Sequence, residues 1–225
     1  MSTSTNLSIF KVLSILLQYP TQTWLTELPE IESYSTETDP QSYQTLQPLF
    51  ERLQDDEITL QTEYVATFDR TPTHSLHLFE HLHGEDRLRG QAMVDLLETY
   101  RTKGFEPTAN ELPDYLPLFL EFLASIPKEE ALPLLGDAIH VIHYIGENLA
   151  KNNSPYAAIF EVIDRYSPVK AEPLKVAPIR NMEEAMEQFG PNAEGIEPLL
   201  SHSFNLGNHA QGCGSASLSS CHKCQ

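Results

Sequence analysis

The sequence predicts an all-α protein, a single helical-bundle domain with a largely irregular C-terminal tail. Apolar residues recur at the spacing of one helix face through most of residues 1–166, and no segment alternates apolar and polar residues over the length of a strand. Hydrophobic residues make up 40% of the 225 residues and charged residues 20%, a globular composition long enough for one substantial core. Proline, and then serine, glycine and histidine, accumulate after residue 167, which favours an irregular tail.

The first four predicted helices each have a recognisable start or stop. An apolar stretch over 7–17 ends before Pro20, and Thr21 can cap a second helix. The Asp-Pro pair at 39–40 is a typical N-cap and first turn, and the acidic pair at 55–56 precedes a fourth helix. The apolar residues that repeat at helical spacing are Leu7, Phe10, Leu13, Leu17, Trp24, Leu25, Leu28, Tyr43, Leu46, Phe50, Leu53, Ile58, Tyr64, Val65 and Phe68.

The middle of the chain predicts two helices after a loop over 69–74. Ser75 can cap a helical run over 76–83, which Gly84 ends or kinks. The helical pattern then resumes and stops at Gly104, a good residue for the left-handed position after a helix.

Three further helices complete the predicted domain. One begins near Pro113 and carries Leu116, Phe119, Leu120 and Leu123. A long helix spans 128–148, and the last one starts at the Ser-Pro pair at 154–155 and closes at Tyr166.

The predicted domain boundary separates 1–166 from a tail over 167–225, with one short helix near 181–189. All three cysteines lie in the tail, so the body has no thiol for a disulfide, which fits a reducing cytoplasm. One C-x-x-C pair without a matching second pair is a weak metal signal, and incidental thiols are the favoured interpretation. The weak metal candidates are Cys213, Cys221 and Cys224.

The net charge of −18 restricts the partners of this protein. Proteins that bind nucleic acids or anionic membranes present basic surfaces, so both partner classes are unexpected. A basic peptide segment is the kind of partner that such a field attracts. The apolar stretch over 7–17 is too short to span a bilayer and has no basic residue before it, which favours a core helix over a targeting signal.

One short pattern allows catalytic chemistry. His77, Glu80 and His81 match H-x-x-E-H, in which two histidines one helical turn apart bind zinc and the glutamate polarises water. The alternative is a helix surface whose polar side chains make ordinary hydrogen bonds, and short patterns of this kind are often accidental. The sequence has no nucleotide-binding loop and no nucleophile elbow, so we expect no enzyme activity and no bound cofactor.

Two motifs carry a family resemblance. They are SLHLFEHLHGEDRLRGQAM at 75–93 and ELPDYLP at 111–117, the latter followed by LEFL at 120–123. In this order and separation they closely resemble the NarJ family, the molybdenum cofactor assembly chaperones, or delta subunits, of respiratory nitrate reductase. The matching signature positions are Leu76, Phe79, Glu80, His81, Gly84, Glu85, Arg87, Gly90, Met93, Glu111, Pro113, Asp114 and Pro117.

The resemblance implies an all-helical cytoplasmic chaperone. Such a protein binds the N-terminal segment of the apo catalytic subunit, keeps it competent for molybdenum cofactor insertion and delays membrane attachment. A related molybdoenzyme is the alternative client. Tyr115 stands where histidine is common in the family, which puts any charge-dependent role of that position in doubt.

An amphipathic client helix would place its apolar side in a groove between helices, with acidic groove edges attracting its basic side. For the apolar candidates the alternative is a place in the core, and for Asp114 it is the start of a helix. The candidate client-binding residues are Phe79, Glu80, His81, Glu85, Arg87, Met93, Glu111, Asp114, Tyr115 and Phe119, with Leu116 and Leu120 as further groove candidates.

Overall fold

The prediction of an all-α fold is confirmed. The computed structural model describes residues 8–83, 87–107 and 111–174, without the side chains at 83, 87 and 88. Within these ranges ten α-helices are present, and the only extended pairing is one isolated bridge. The helices are Ile9–Leu16 (α1), Gln22–Leu25 (α2), Leu28–Thr38 (α3), Pro40–Arg52 (α4), Glu57–Tyr64 (α5), Glu80–His83 (α6), Arg87–Thr102 (α7), Leu116–Ser125 (α8), Lys128–Lys151 (α9) and Ala157–Tyr166 (α10).

The core forms around α8, which is apolar on nearly all sides. Seven of its ten residues are buried, as expected for a helix covered all round. It lies against α1, and α9 packs against α10. The hydroxyl of Ser14 on α1 donates to the carbonyl of Pro117 at 2.7 Å, so this buried polar side chain is satisfied.

α9 and α10 approach each other closely because α9 has a glycine at the crossing. A Cβ atom placed on Gly146 would lie 2.6 Å from the Cβ of Phe160, closer than real side chains pack. The glycine thus permits the contact that buries Ile145, Ile159 and Phe160 in the core.

Three predicted helix ends are confirmed. The carboxylate of Asp39 accepts the backbone N–H groups of Gln41 and Ser42, and that of Asp56 accepts the N–H of Thr59. Gly104 adopts a φ of +76°, the left-handed conformation expected after α7. Thr21 occupies the N-cap position of α2 but makes no side-chain cap bond.

The predicted helix after Asp56 changes type before it ends. The α-helix stops at Tyr64 and continues as a π-helix over Val65–Asp69, which closes with the N–H of Arg70 donating to the carbonyl of Val65 at 3.0 Å. A π turn adds one residue to the helical repeat, and such turns are frequent at functional sites. A 3-10 turn over Pro72–His74 follows.

Two predicted helix starts are wrong. Residues 76–79 are not helical, and α6 begins only at Glu80; the helix expected near Pro113 begins at Leu116. These two segments pair with each other instead, through the isolated bridge between His77 and Tyr115. Their backbone groups find partners across the bridge, so a helix is not needed to satisfy them.

The body extends beyond the predicted boundary at 166. Pro168 and Val169 pack over Gly136 of α9, and the N–H of Glu172 donates to the Nδ1 atom of His140 at 2.8 Å. Leu174 also packs against the core. The short helix predicted near 181–189 and the three cysteines lie outside the described residues. Within the described part of the chain, no helix is both long enough and apolar enough to cross a bilayer.

Candidate functional site

Two connecting segments that are far apart in sequence form the base of the candidate site. The N–H of Leu78 donates to the carbonyl of Asp114 at 3.0 Å, and the N–H of Leu116 donates to the carbonyl of Leu76 at 2.8 Å. This pairing joins the segment before α6 to the segment before α8. Both motifs that carry the family resemblance therefore meet at one place.

Asp114 holds the two segments together with its side chain. It is fully buried; its Oδ2 atom accepts the N–H of Phe79 at 3.1 Å, and its Oδ1 atom lies 3.3 Å from the Nδ1 atom of His77. The guanidinium of Arg89 on α7 lies 3.9 Å from Oδ2. A buried carboxylate is tolerated when it is paired and hydrogen-bonded in this way. Asp114 was expected on an acidic groove edge, and because its side chain is buried that expectation is wrong.

Glu80 and His81 fix the turn into α6. The hydroxyl of Ser75 donates to one carboxylate oxygen of Glu80, and Arg89 donates to the other at 3.1 Å. The ring of His81 is 2% exposed, and its Nε2 atom donates to the carbonyl of Ser75 at 2.8 Å. Burial lowers the pKa of His81, so the ring is neutral at physiological pH.

His74 ties this region to two further elements. Its Nδ1 atom donates to the carbonyl of Thr67 in the π-helix at 2.9 Å, and its Nε2 atom accepts from the amide of Asn152 at 2.9 Å. The ring is buried. Both nitrogens are thus used to fasten the 3-10 turn between the π-helix and the end of α9.

A cavity of about 560 Å³ opens above these segments. The volume is in the range of pockets that take a small ligand or a few side chains of a peptide. Its walls combine aromatic rings with carboxylates. The lining residues are Tyr19, Tyr64, Phe68, Asp69, Pro72, Ser75, Leu76, His77, Glu80, Glu111 and Tyr115.

Two tyrosines of the cavity, Tyr64 and Tyr115, are neutral. The hydroxyl of Tyr64 donates to the carbonyl of Leu17 at 2.8 Å and lies 3.4 Å from the hydroxyl of Tyr115. Burial raises the pKa of Tyr64 and of Tyr115. These two rings therefore supply apolar surface with a hydroxyl at one end, and the carboxylates of the cavity supply negative charge.

Three of the candidate binding residues from the sequence line this cavity, namely Glu80, Glu111 and Tyr115. Phe79 and Met93 are both half-buried, and neither lines the cavity. Glu85 and the side chain of Arg87 lie outside the described residues.

The other candidates lie in the interior. Phe119 is 4% exposed and belongs to the core with Leu116 and Leu120, so the expectation that these residues form a surface groove is wrong. Their helix α8 is covered on nearly all sides, so its apolar side chains lie in the core. His81 is likewise buried.

The zinc hypothesis fails on geometry. It requires His77 and His81 one turn apart on a helix, and α6 begins only at Glu80. His77 instead interacts with Asp114, and His81 with the carbonyl of Ser75. In the described ranges no cluster of three histidine, cysteine or acidic side chains has the geometry for a metal ion.

Tyr19, Tyr64 and Asp69 line the cavity although no sequence motif marked them as site residues. Tyr19 lies between the first apolar stretch and Pro20 and belongs to no motif, and Asp69 is only the first residue of a predicted loop. The π-helix over Val65–Asp69 carries Phe68 and Asp69, which line the cavity. No local sequence signal predicts this π-helix.

Replacing His77 by glutamine is expected to change how stability depends on pH. The hydrogen bond to Asp114 raises the pKa of His77, so the charged pair stabilises the fold fully below about pH 6.5 and is lost as pH rises through the raised value. The difference in melting temperature between the wild type and His77→Gln should be largest near pH 5.5 and smallest near pH 9. Thermal unfolding at a series of pH values measures it; a difference that grows with pH contradicts the pairing.

Comparison with known proteins gives one family. The sequence profile described as "Nitrate reductase delta subunit" matches residues 35–161, a span that contains Tyr64, Asp69, Glu111 and Tyr115.

Individual relatives agree with the family match. The nitrate reductase molybdenum cofactor assembly chaperone NarJ of Escherichia coli K12 is 42% identical over 122 residues, which cover 54% of this chain and 52% of the relative. The probable chaperone NarW of the same strain is 44% identical over 103 residues, 46% of this chain and 45% of the relative. The probable chaperone NarJ of Bacillus subtilis is 34% identical over 165 residues, 72% of this chain and 90% of the relative. The chain matches about half the length of the two Escherichia coli relatives.

Proposed function

This chain belongs to the nitrate reductase delta subunit family, and from that membership we propose that it is an assembly chaperone of a respiratory nitrate reductase rather than an enzyme. It binds the N-terminal segment of the apo catalytic subunit in the cytoplasm. It keeps that subunit competent for molybdenum cofactor insertion and delays its attachment to the membrane.

The cavity between the two family motifs is the observation that carries this proposal. Its rings offer apolar surface for the anchors of a peptide, and its carboxylates attract a basic segment. The net charge of −18 has the same sign as the charge of the cavity carboxylates and therefore favours the encounter with a basic client segment. At physiological salt the Debye length is about 8 Å, so apolar burial supplies most of the affinity and charge mainly speeds association.

The base of the cavity suits a binding role. The bridge between residues 76–78 and 114–116, the Asp114 contacts and the His74 bonds hold the cavity walls in place before any ligand arrives. A preformed pocket loses less conformational entropy on binding than a mobile one.

Removing one exposed ring of the cavity tests this function. We expect Tyr19→Ala to weaken binding of a synthetic peptide of the catalytic subunit's N-terminal segment by about tenfold, because a tyrosine at an interface buries a large apolar surface. Calorimetric titration of the full-length chaperone measures the effect. Tyr34→Ala is the matched control, since Tyr34 is similarly exposed on α3 and does not line the cavity.

The biological readout is the molybdenum content of the nitrate reductase. In a strain that lacks the chaperone gene, the catalytic subunit should be synthesised but poor in cofactor, and wild-type chaperone should restore the metal better than Tyr19→Ala. Normal molybdenum loading in the deletion strain, or no binding of the peptide by the wild type, refutes the proposed function.

A further inference from the structure

Two of the cavity carboxylates have no counter-charge in the described part of the chain. Glu80 pairs with Arg89, and Asp114, behind the wall, pairs with His77 and Arg89. Asp69 and Glu111 make no ion pair with any described residue, and both are exposed at the cavity. A cavity with two carboxylates that no described side chain neutralises favours a cationic ligand group over a neutral or anionic one.

Aromatic side chains line the same cavity as these carboxylates. The ring of Tyr19 meets that of Tyr64 edge to face at 5.4 Å, and the ring of Tyr115 lies 5.4 Å from that of His77. Burial raises the pKa of Tyr115, and the charges of Glu111 and Asp69, which line the same cavity, raise it further. A cation is attracted both by the faces of aromatic rings and by the negative charge of the carboxylates beside them.

We propose that this cavity takes the guanidinium group of one arginine of the client segment, with Asp69 and Glu111 as counter-charges and the rings of Tyr19 and Tyr115 beside it. The inference rests on the proposed function and names the chemistry that the client presents at this site. A guanidinium is planar, weakly hydrated and able to stack on a ring while it donates to carboxylates. A lysine ammonium is compact and strongly hydrated, so it gains less from the rings.

The same charges exclude a competing use of the cavity. A phosphate-bearing cofactor would place its negative charge beside Asp69 and Glu111, where repulsion opposes binding.

A double-mutant cycle tests the arginine site. The chaperone variant is Asp69→Asn/Glu111→Gln, and in the client peptide each arginine is replaced in turn by citrulline, which keeps the shape and loses the charge. We expect the chaperone variant to bind the unmodified peptide about tenfold more weakly, a change of about 1.4 kcal/mol. One citrulline peptide should bind the wild-type chaperone more weakly by a similar factor. The same peptide should bind the variant chaperone little more weakly than the unmodified peptide does, because both changes remove the same contact.

The control separates a local site from the general field of the protein. Asp137→Asn/Glu37→Gln makes the same change of charge at exposed positions that do not line the cavity. An equal loss of affinity in this control, additive effects for every arginine, or coupling to a lysine alone overturns the proposal while the proposed function stands. If the wild-type chaperone does not bind the peptide, both the arginine site and the proposed function are wrong.

Discussion

Replacing Asp114 by alanine is expected to lower the free energy of unfolding by about 3 kcal/mol. The substitution leaves the N–H of Phe79 without its acceptor and removes the buried partner of His77 and Arg89. An unpaired buried donor and a broken buried ion pair are each costly, since water cannot replace the lost partner. The loss falls on the bridge between the segments before α6 and α8, so the cavity should lose its shape before the rest of the fold melts.

Denaturant unfolding with tryptophan fluorescence measures this change, because the indole N–H of Trp24 donates to the carbonyl of Tyr19 at the cavity. Asp114→Asn is the informative second variant: it keeps an acceptor for the N–H of Phe79 and loses the charge, so its cost should lie between those of the wild type and the alanine variant. Asp137→Ala on exposed α9 surface should stay within about 0.5 kcal/mol of the wild type. If Asp114→Ala leaves the free energy of unfolding nearly unchanged, the role assigned to this carboxylate is wrong.

Replacing Gly146 by alanine is expected to cost about 2 kcal/mol, although alanine is the better helix former. The new Cβ would lie 2.6 Å from the Cβ of Phe160. Both atoms are fixed to their backbones, so no rotamer change relieves the overlap and α9 and α10 must move apart. That movement loosens the buried contacts of Ile159 and Phe160 with the core.

Gly90 provides the matched control for this prediction. It also lies inside a helix, α7, and a Cβ added there meets no atom within 4 Å. Gly90→Ala should therefore stabilise the protein by about 0.5–1 kcal/mol through helix propensity alone. Thermal or denaturant unfolding of both variants decides the matter: the two alanines should act with opposite signs, and stabilisation by Gly146→Ala is incompatible with the close crossing.

The helices that sequence located well are those whose ends depend on local chemistry. Asp39 and Asp56 accept backbone N–H groups two or three residues away, and Gly104 supplies a left-handed residue at its own position. Such signals act within one turn and can be recognised without any tertiary contact. The predictions failed at 76–79 and near Pro113, where each segment satisfies its backbone through the other.

By itself, the sequence determined the all-α class, the acidic charge and the two motifs that identify the family, because composition, periodicity and motif order are properties of the chain alone. Only the tertiary structure decided which motif residues face a ligand. The sequence spacing of Phe119 and Leu120 is equally compatible with a surface groove and with the core. Their helix packs against α1, and both side chains are buried. The cavity joins Tyr19 to Asp69 and Tyr115, and residues so far apart in the chain become neighbours only when the burial of α8 and the bridge before it bring their segments together.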